Sequence, residues 1–238
     1  MPPSFTDALT DARRPVIMEL KPRSADGEDL FRGRRPAEIV ARYEAAGAPC
    51  LSVVTGRWFG GDTGLLAEVT ALTDLPVLQK DFITNTGQLH AARELGASAV
   101  LLTAALLPAA ALARLTGAAL ALGLTPFVEV ADAAEIEALP SCEGCVVAVN
   151  NKDIRVRERG DADTGRSLRL LPDVRRTGTP CPVSASGIDD PQVAARLLNA
   201  GYAGLLIGTR LLQADRLESW CEELDALRPA SPALPPAG

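Results

Sequence analysis

Four ionisable residues stand at the ends of short apolar runs in this chain. Glu19 and Lys21 close the run Val16–Lys21, Lys80 closes Pro76–Lys80, and Glu129 is the last residue but one of Thr125–Val130. Asn150 closes Val146–Asn150, and Ser184 and Ser186 end Pro182–Ser186. Lysines and carboxylates are the residue types of general acid–base work, in which a positioned side chain gives or takes a proton as bonds rearrange. Glu19 and Lys21 are two apart, so on an extended strand both side chains point the same way. A single polar residue at a strand end ordinarily turns to solvent, but five strands with ionisable, amide or hydroxyl groups at the same end describe a shared rim. Two lysine charges about 5 Å apart repel by roughly 3 kcal/mol at an effective dielectric of 20. Neighbouring glutamates offset part of this, a balance that suits a lysine to proton transfer.

The elements that hold these residues alternate along the chain. Strands are predicted at Val16–Lys21, Cys50–Thr55, Pro76–Lys80, Ala99–Thr103, Thr125–Val130, Val146–Asn150, Pro182–Ser186 and Ala203–Gly208, from short runs of β-branched and apolar residues. Helical periodicity predicts Pro36–Ala46, Gly64–Leu72, Thr86–Leu95, Pro108–Leu122, Ala133–Ala138, Thr164–Asp173, Pro191–Asn199 and Thr209–Leu227 between and after them. Pro36, Pro108 and Pro191 suit first-turn helical positions, where a missing N–H costs nothing. Gly47, Gly96, Gly123 and Gly201 each follow a helix, as left-handed caps do.

Eight β/α units in strict alternation imply an all-parallel sheet. No GxGxxG follows the first strand, and nothing divides the chain, so closure is favoured over an open doubly wound sheet. The expected fold is α/β: a single-domain (β/α)₈ TIM barrel over residues 1–227 with a short N-terminal leader, followed by a disordered Pro/Ala-rich tail, Arg228–Gly238. In such barrels the C-terminal strand ends carry the chemistry. A second feature fits that frame: Ser186-Gly187-Ile188 follows the seventh strand and Ile207-Gly208-Thr209 follows the eighth. Glycines on these two loops give backbone access to a phosphate.

Bulk properties narrow the partners. With 24 basic and 30 acidic residues the formal charge is −6, so no broad cationic surface serves nucleic acid or acidic lipid. A small pocket for an anionic substrate is compatible with that total. No run of about 18 uninterrupted apolar residues suggests a membrane span, and the first 15 residues lack the apolar core of a signal peptide. A cytoplasmic protein, monomeric or a weak homodimer, is expected. Cys50, Cys142, Cys145, Cys181 and Cys221 read as thiols. Cys142-Glu-Gly-Cys145 has the spacing of a zinc knuckle but no second such pair, and no metal site is expected.

Set in order, these segments resemble the indole-3-glycerol-phosphate synthase family. The carriers are Met18-Glu19-Leu20-Lys21 with Ser24; Leu51–Thr55 followed by Phe59-Gly60-Gly61; Leu78-Gln79-Lys80-Asp81-Phe82-Ile83; Phe127-Val128-Glu129-Val130; Val149-Asn150-Asn151-Lys152; Ser184-Ala185-Ser186-Gly187-Ile188; and Ile207-Gly208-Thr209. The resemblance runs from about Phe5 to Leu212. It implies ring closure of 1-(2-carboxyphenylamino)-1-deoxyribulose 5-phosphate with loss of CO₂ and water, in tryptophan biosynthesis, without a cofactor. It also implies that Lys80 is the general acid and Glu129 the acid/base of the dehydration, with Glu19, Lys21 and Asn150 positioning the intermediate. Ser24, Ser186, Gly187, Gly208 and Thr209 would hold the substrate and its phosphate, and Phe59 would line the aryl pocket.

Four departures stand against this. The family's Ser-Glu-Ser-Gly motif has Ala185 in place of the glutamate. The first loop, Lys21-Pro22-Arg23-Ser24, lacks Ser-Pro-Ser. Lys152 replaces an arginine and precedes a charged stretch, Ile154–Thr164. The leader retains only the last part of an N-terminal helix that covers the substrate. Three alternatives follow: a diverged paralogue acting on a related aryl-amino sugar phosphate, a non-catalytic barrel binding a phosphorylated ligand, or a phosphoribosylanthranilate isomerase. The last pairs an aspartate with a cysteine at strand ends, whereas the first strand here offers Glu19 and Lys21.

Overall fold

A computed structural model of the chain describes residues 4–152 and 161–228. Eight parallel strands close into a barrel in sequence order: β1 (Val16–Leu20), β2 (Leu51–Val54), β3 (Val77–Lys80), β4 (Ala99–Thr103), β5 (Thr125–Val130), β6 (Val146–Asn150), β7 (Cys181–Ala185) and β8 (Gly204–Ile207). Pairing of Val16 with Leu205 and of Met18 with Ile207 joins β1 to β8 and leaves no free sheet edge. The helices are α1 (Phe5–Thr10), α2 (Pro36–Ala45), α3 (Thr63–Leu72), α4 (Thr86–Glu94), α5 (Ala109–Ala121), α6 (Ala133–Glu137), α7 (Thr164–Arg176), α8 (Pro191–Ala200), α9 (Thr209–Gln213) and α10 (Leu217–Leu227).

The period of two along each strand divides the core into two layers. Ile17, Leu78, Leu101, Phe127, Ala148, Val183 and Leu206 fill the barrel interior. Met18, Val53, Val100, Val128, Val147 and Leu205 face the helical layer. Two residues beyond the inward Ile17, Leu78, Phe127, Ala148 and Leu206 come Glu19, Lys80, Glu129, Asn150 and Gly208. The same alternation that packs the core therefore aims these residues at the barrel axis on its C-terminal rim.

The leader helix α1 lies at the N-terminal end of the barrel, away from the polar rim. Phe5 and Leu9 cluster with Ile17, Cys50, Leu78 and Phe127, and the Phe5 ring stands edge-on to Phe127 at 6.4 Å. Cys50 immediately precedes β2 and Gly204 begins β8, so α1 plugs the N-terminal end. Gly204 is required there, because a Cβ would fall 2.7 Å from Leu9.

Three strands match their expected bounds to the residue: β4, β5 and β6. The seventh ends at Ala185, one short of expectation, because Ser186 has φ +68°, which no strand continues through. Gly47, Gly96, Gly123 and Gly201 have the positive φ of caps. Pro36 and Pro191 occupy first turns, whereas Pro108 is itself an extended N-cap. Helix α7 continues through Pro172 to Arg176, because Leu170, Leu171 and Val174 bury on one face. The expected helix Thr209–Leu227 is two helices. The carbonyls of Leu212 and Ala214, at the break, accept from Arg34 and Arg42. The tail residues 229–238 and the charged residues 153–160 lie outside the described residues.

All five cysteines are free and buried. Among the described residues no group of three or more His, Cys, Asp or Glu could hold a metal ion. Nor is any helix among them long and apolar enough to cross a membrane.

Candidate active site

Glu19 is the centre of the rim. One carboxylate oxygen lies 3.8 Å from Lys21 Nζ and the other 3.5 Å from Lys80 Nζ. The second oxygen also accepts from Ser52 Oγ at 3.2 Å. All four side chains are buried, so these charges interact in a medium far less polarisable than water. Two buried lysines would repel, and the carboxylate between them offsets that repulsion. Tyr43 fixes the strand from outside by donating its hydroxyl to Glu19 O at 3.0 Å. Burial pushes the Tyr43 phenol far up, so it stays a neutral donor.

On one side of Glu19 lies an apolar cleft lined by Lys21, Val54, Phe59, Lys80, Phe82, Leu101 and Glu129. Lys80 and Glu129 thus face one space from β3 and β5. Lys21 Nζ stands 5.3 Å from the centre of the Phe59 ring, a cation–π contact that holds the lysine over the cleft. Asp81 builds the wall beside it, accepting from Phe82 N and Thr55 Oγ1, both at 2.8 Å.

On the other side is a cavity of about 340 Å³, lined by Glu19, Lys21, Lys152, Ser186, Gly187, Gly208, Thr209 and Arg210 among others. Three cations, Lys21, Lys152 and Arg210, outnumber the two carboxylates, Glu19 and Asp189, and suit it to an anion. Ser186 and Gly187 both have positive φ. Gly187 could carry no side chain, because a Cβ would lie 2.0 Å from that of Ala162. At Gly208 a Cβ would fall 2.6 Å from Glu19 Oε1; this glycine keeps the carboxylate in its bridging position.

Asn151, outside the set of expected site residues, holds the seventh-strand loop in place. Its Nδ2 lies within hydrogen-bonding distance of Ser184 Oγ, Ala185 O and Ser186 O, at 3.0, 3.1 and 3.1 Å, and its Oδ1 accepts from Ser167 Oγ at 2.7 Å. Asn151→Ala leaves several of these buried groups without a partner, at about 1–3 kcal/mol each before relaxation. The expected loss is about 3 kcal/mol. That corresponds to a fall in thermal midpoint of roughly 6–12 °C, read by differential scanning calorimetry; a fall below 2 °C would show that the network carries little.

Ser184 is corrected by the same network. It lies not on the rim but in the outer layer, 2.7 Å from Ser167 Oγ. Its inward neighbours Val183 and Ala185 belong to the barrel interior. Ser24 is also not brought to the site. Its hydroxyl accepts from Glu28 N at 3.1 Å and Asp26 N at 3.3 Å, and it lines neither space described above. Asn150 is buried beside Ala185. Its Oδ1 accepts from Lys152 N at 2.9 Å, and its Nδ2 has no partner among the described residues. Phe82, Leu101, Lys152 and Arg210 join the site without having been singled out for it. Alternation and loop position mark Leu101 and Phe82 in the sequence, but nothing local marks Arg210.

The first βα loop is tied down at both ends of the site. Arg23 N donates to Phe59 O at 2.9 Å, and Leu30 N to Pro22 O at 2.8 Å. On the far side Gln213 Nε2 donates to Glu28 Oε2 at 2.8 Å.

Fold and site together define a (β/α)₈-barrel enzyme with an acid–base cluster set between an apolar cleft and an anion-binding cavity. A family model described as indole-3-glycerol phosphate synthase matches residues 2–224. The chain is 37% identical over 213 residues to indole-3-glycerol phosphate synthase 2 of Streptomyces coelicolor, covering 85% of this chain and 83% of that one. It is 39% identical over 199 residues to a synthase of that name from Nocardioides, covering 83% and 75%. A third relative, indole-3-glycerol phosphate synthase 2 of Ralstonia nicotianae, is 35% identical over 215 residues, covering 90% and 78%. The chain belongs to the indole-3-glycerol phosphate synthase family.

Proposed function

We propose that the chain closes the indole ring of 1-(2-carboxyphenylamino)-1-deoxyribulose 5-phosphate, releasing CO₂ and water. The observation that carries this reading is Glu19 lying between Lys21 and Lys80, with an apolar cleft on one side and a cationic cavity on the other. The apolar lining of the first space suits an aryl group, and the cations of the second suit a phosphate.

In this reading the aryl carbon bearing the carboxylate bonds to the sugar carbonyl carbon. Lys80 delivers the proton that turns the carbonyl oxygen into a hydroxyl. Loss of CO₂ restores the ring, and Glu129 serves as acid/base when the hydroxyl leaves as water. Glu19 and Lys21 orient the sugar, and Asn150 Nδ2, which has no partner among the described residues, offers a buried donor to it. The loops at Ser186-Gly187 and Gly208-Thr209 hold the phosphate with Lys152 and Arg210 beside them. Phe59 faces the aryl ring. These steps need no cofactor. The enzyme works in the cytoplasm as a monomer or weak homodimer, which sedimentation of the purified chain measures.

Ala185 favours a second reading, a paralogue adapted to a related aryl-amino sugar phosphate, because a carboxylate is missing from the barrel interior next to Asn150. A binding protein without turnover is disfavoured, since binding alone has no use for Lys80 and Glu129 across one cleft. The test is incubation with the unsubstituted substrate while indole fluorescence is followed. No indole product at any enzyme concentration would sink the first reading.

A further inference from the structure

Trp58 is 61% exposed, the most exposed large apolar side chain among the described residues. It sits on a 3₁₀ turn, Arg57–Phe59, and the next residue, Phe59, lines the apolar cleft. Its indole meets the ring of Phe82 at 5.3 Å, inclined at 62°, and Phe82 lines the same cleft. The Trp58 ring therefore continues the apolar wall outward past the cleft's mouth.

Both supports of that ring are held. Phe59 O accepts from Arg23 N at 2.9 Å, and Phe59 N donates to Gly56 O at 3.0 Å. Gly61, at the foot of the turn, packs so closely on Val54 O that a Cβ would fall 2.0 Å from it. Asp81 fixes Phe82 through the backbone bond already described. An indole left in water on a braced turn loses little further freedom when a flat apolar group covers it, and aromatic pairs contribute beyond the area they bury.

We propose that Trp58 is a substrate-binding residue: with Phe82 it forms an aromatic platform that receives the aryl ring of the substrate at the mouth of the cleft and sets which aryl groups are accepted. This rests on the reading of the substrate as an aryl-amino sugar phosphate. The ring, not the sugar phosphate, is what Trp58 contacts, so its loss affects only ligands that carry one.

The experiment uses the substrate with its ketone reduced to the alcohol, which cannot cyclise, and ribulose 5-phosphate, which has no ring. Dissociation constants are measured by calorimetry for the full chain and for Trp58→Ala and Trp58→Phe. The reduced substrate is expected to bind the Ala variant about ten-fold more weakly, with Phe restoring most of the loss, while ribulose 5-phosphate binds all three within two-fold. Turnover of the true substrate should show KM raised in the Ala variant with kcat within two-fold. Equal binding of the reduced substrate to wild type and Trp58→Ala overturns the role of Trp58 alone. Parallel weakening of ribulose 5-phosphate also overturns it, since the turn would then act as a brace. If the wild type fails to bind the reduced substrate at all, the substrate reading falls and the platform with it.

Discussion

Lys80→Met lowers kcat for ring closure by about 10³-fold, within the range that a positioned proton donor contributes, while KM moves by less than about three-fold. Methionine keeps the length and the apolar stem of lysine and removes the charge and the donors. The Glu19 carboxylate then loses the contact at 3.5 Å but keeps Lys21 at 3.8 Å and Ser52 at 3.2 Å. Because two partners remain, the buried carboxylate is not stranded and the barrel stays folded. The substrate's two ends are held elsewhere, by the cleft around Phe59 and by the cavity at Ser186–Gly187 and Gly208–Thr209. Initial rates of indole formation across a range of substrate concentrations separate the two constants. A kcat within ten-fold of wild type would assign the proton to another group, Lys21 being the nearest cation to Glu19 besides Lys80.

The barrel was legible because helix and strand periods alternate cleanly and eight apolar runs recur with glycine caps between them. The rim was legible for a related reason. Inward residues follow the period of two, so a polar residue two past an inward apolar one is aimed at the axis, as Glu19, Lys80 and Glu129 are. The same rule excludes Ser184, whose neighbours Val183 and Ala185 face inward, and strand position alone did not reveal it. Asn151 stayed hidden because its partners lie on α7, at the end of β7 and in the loop after it, more than a dozen residues away in sequence. The break between α9 and α10 was hidden likewise, since carbonyl acceptors for Arg34 and Arg42 become visible only once β1, α2 and β8 are neighbours. The place of the leader helix was not legible, because resemblance alone does not say which end of a barrel a short helix plugs. Phe5 and Leu9 say so through the interior residues they touch.

Ala185→Glu raises kcat on the unsubstituted substrate by about 10²-fold, the low end of what one fixed polar group at a reacting centre contributes. Ala185 belongs to the barrel interior and pairs in register with Asn150 and Leu206. A glutamate there extends toward the rim, where Asn150 Nδ2 has no partner among the described residues and can donate to it. Lys21 and Lys152 stand close enough to the cavity to compensate a new negative charge. Adding four heavy atoms, a methylene and a carboxylate, to a fully buried position has a cost. Overpacking contributes about 1–3 kcal/mol of destabilisation, equivalent to a fall of roughly 2–12 °C in thermal midpoint for a chain of this size. Activity is therefore expected to rise while stability falls, opposite signs that a general improvement in folding cannot produce. An unchanged kcat on this substrate, together with efficient turnover of a ring-substituted analogue by the parent chain, would decide for the specialised paralogue. In that case the small side chain at Ala185 is a feature of the site's chemistry, and the carboxylates that matter are the two already present, Glu19 between the lysines and Glu129 across the cleft.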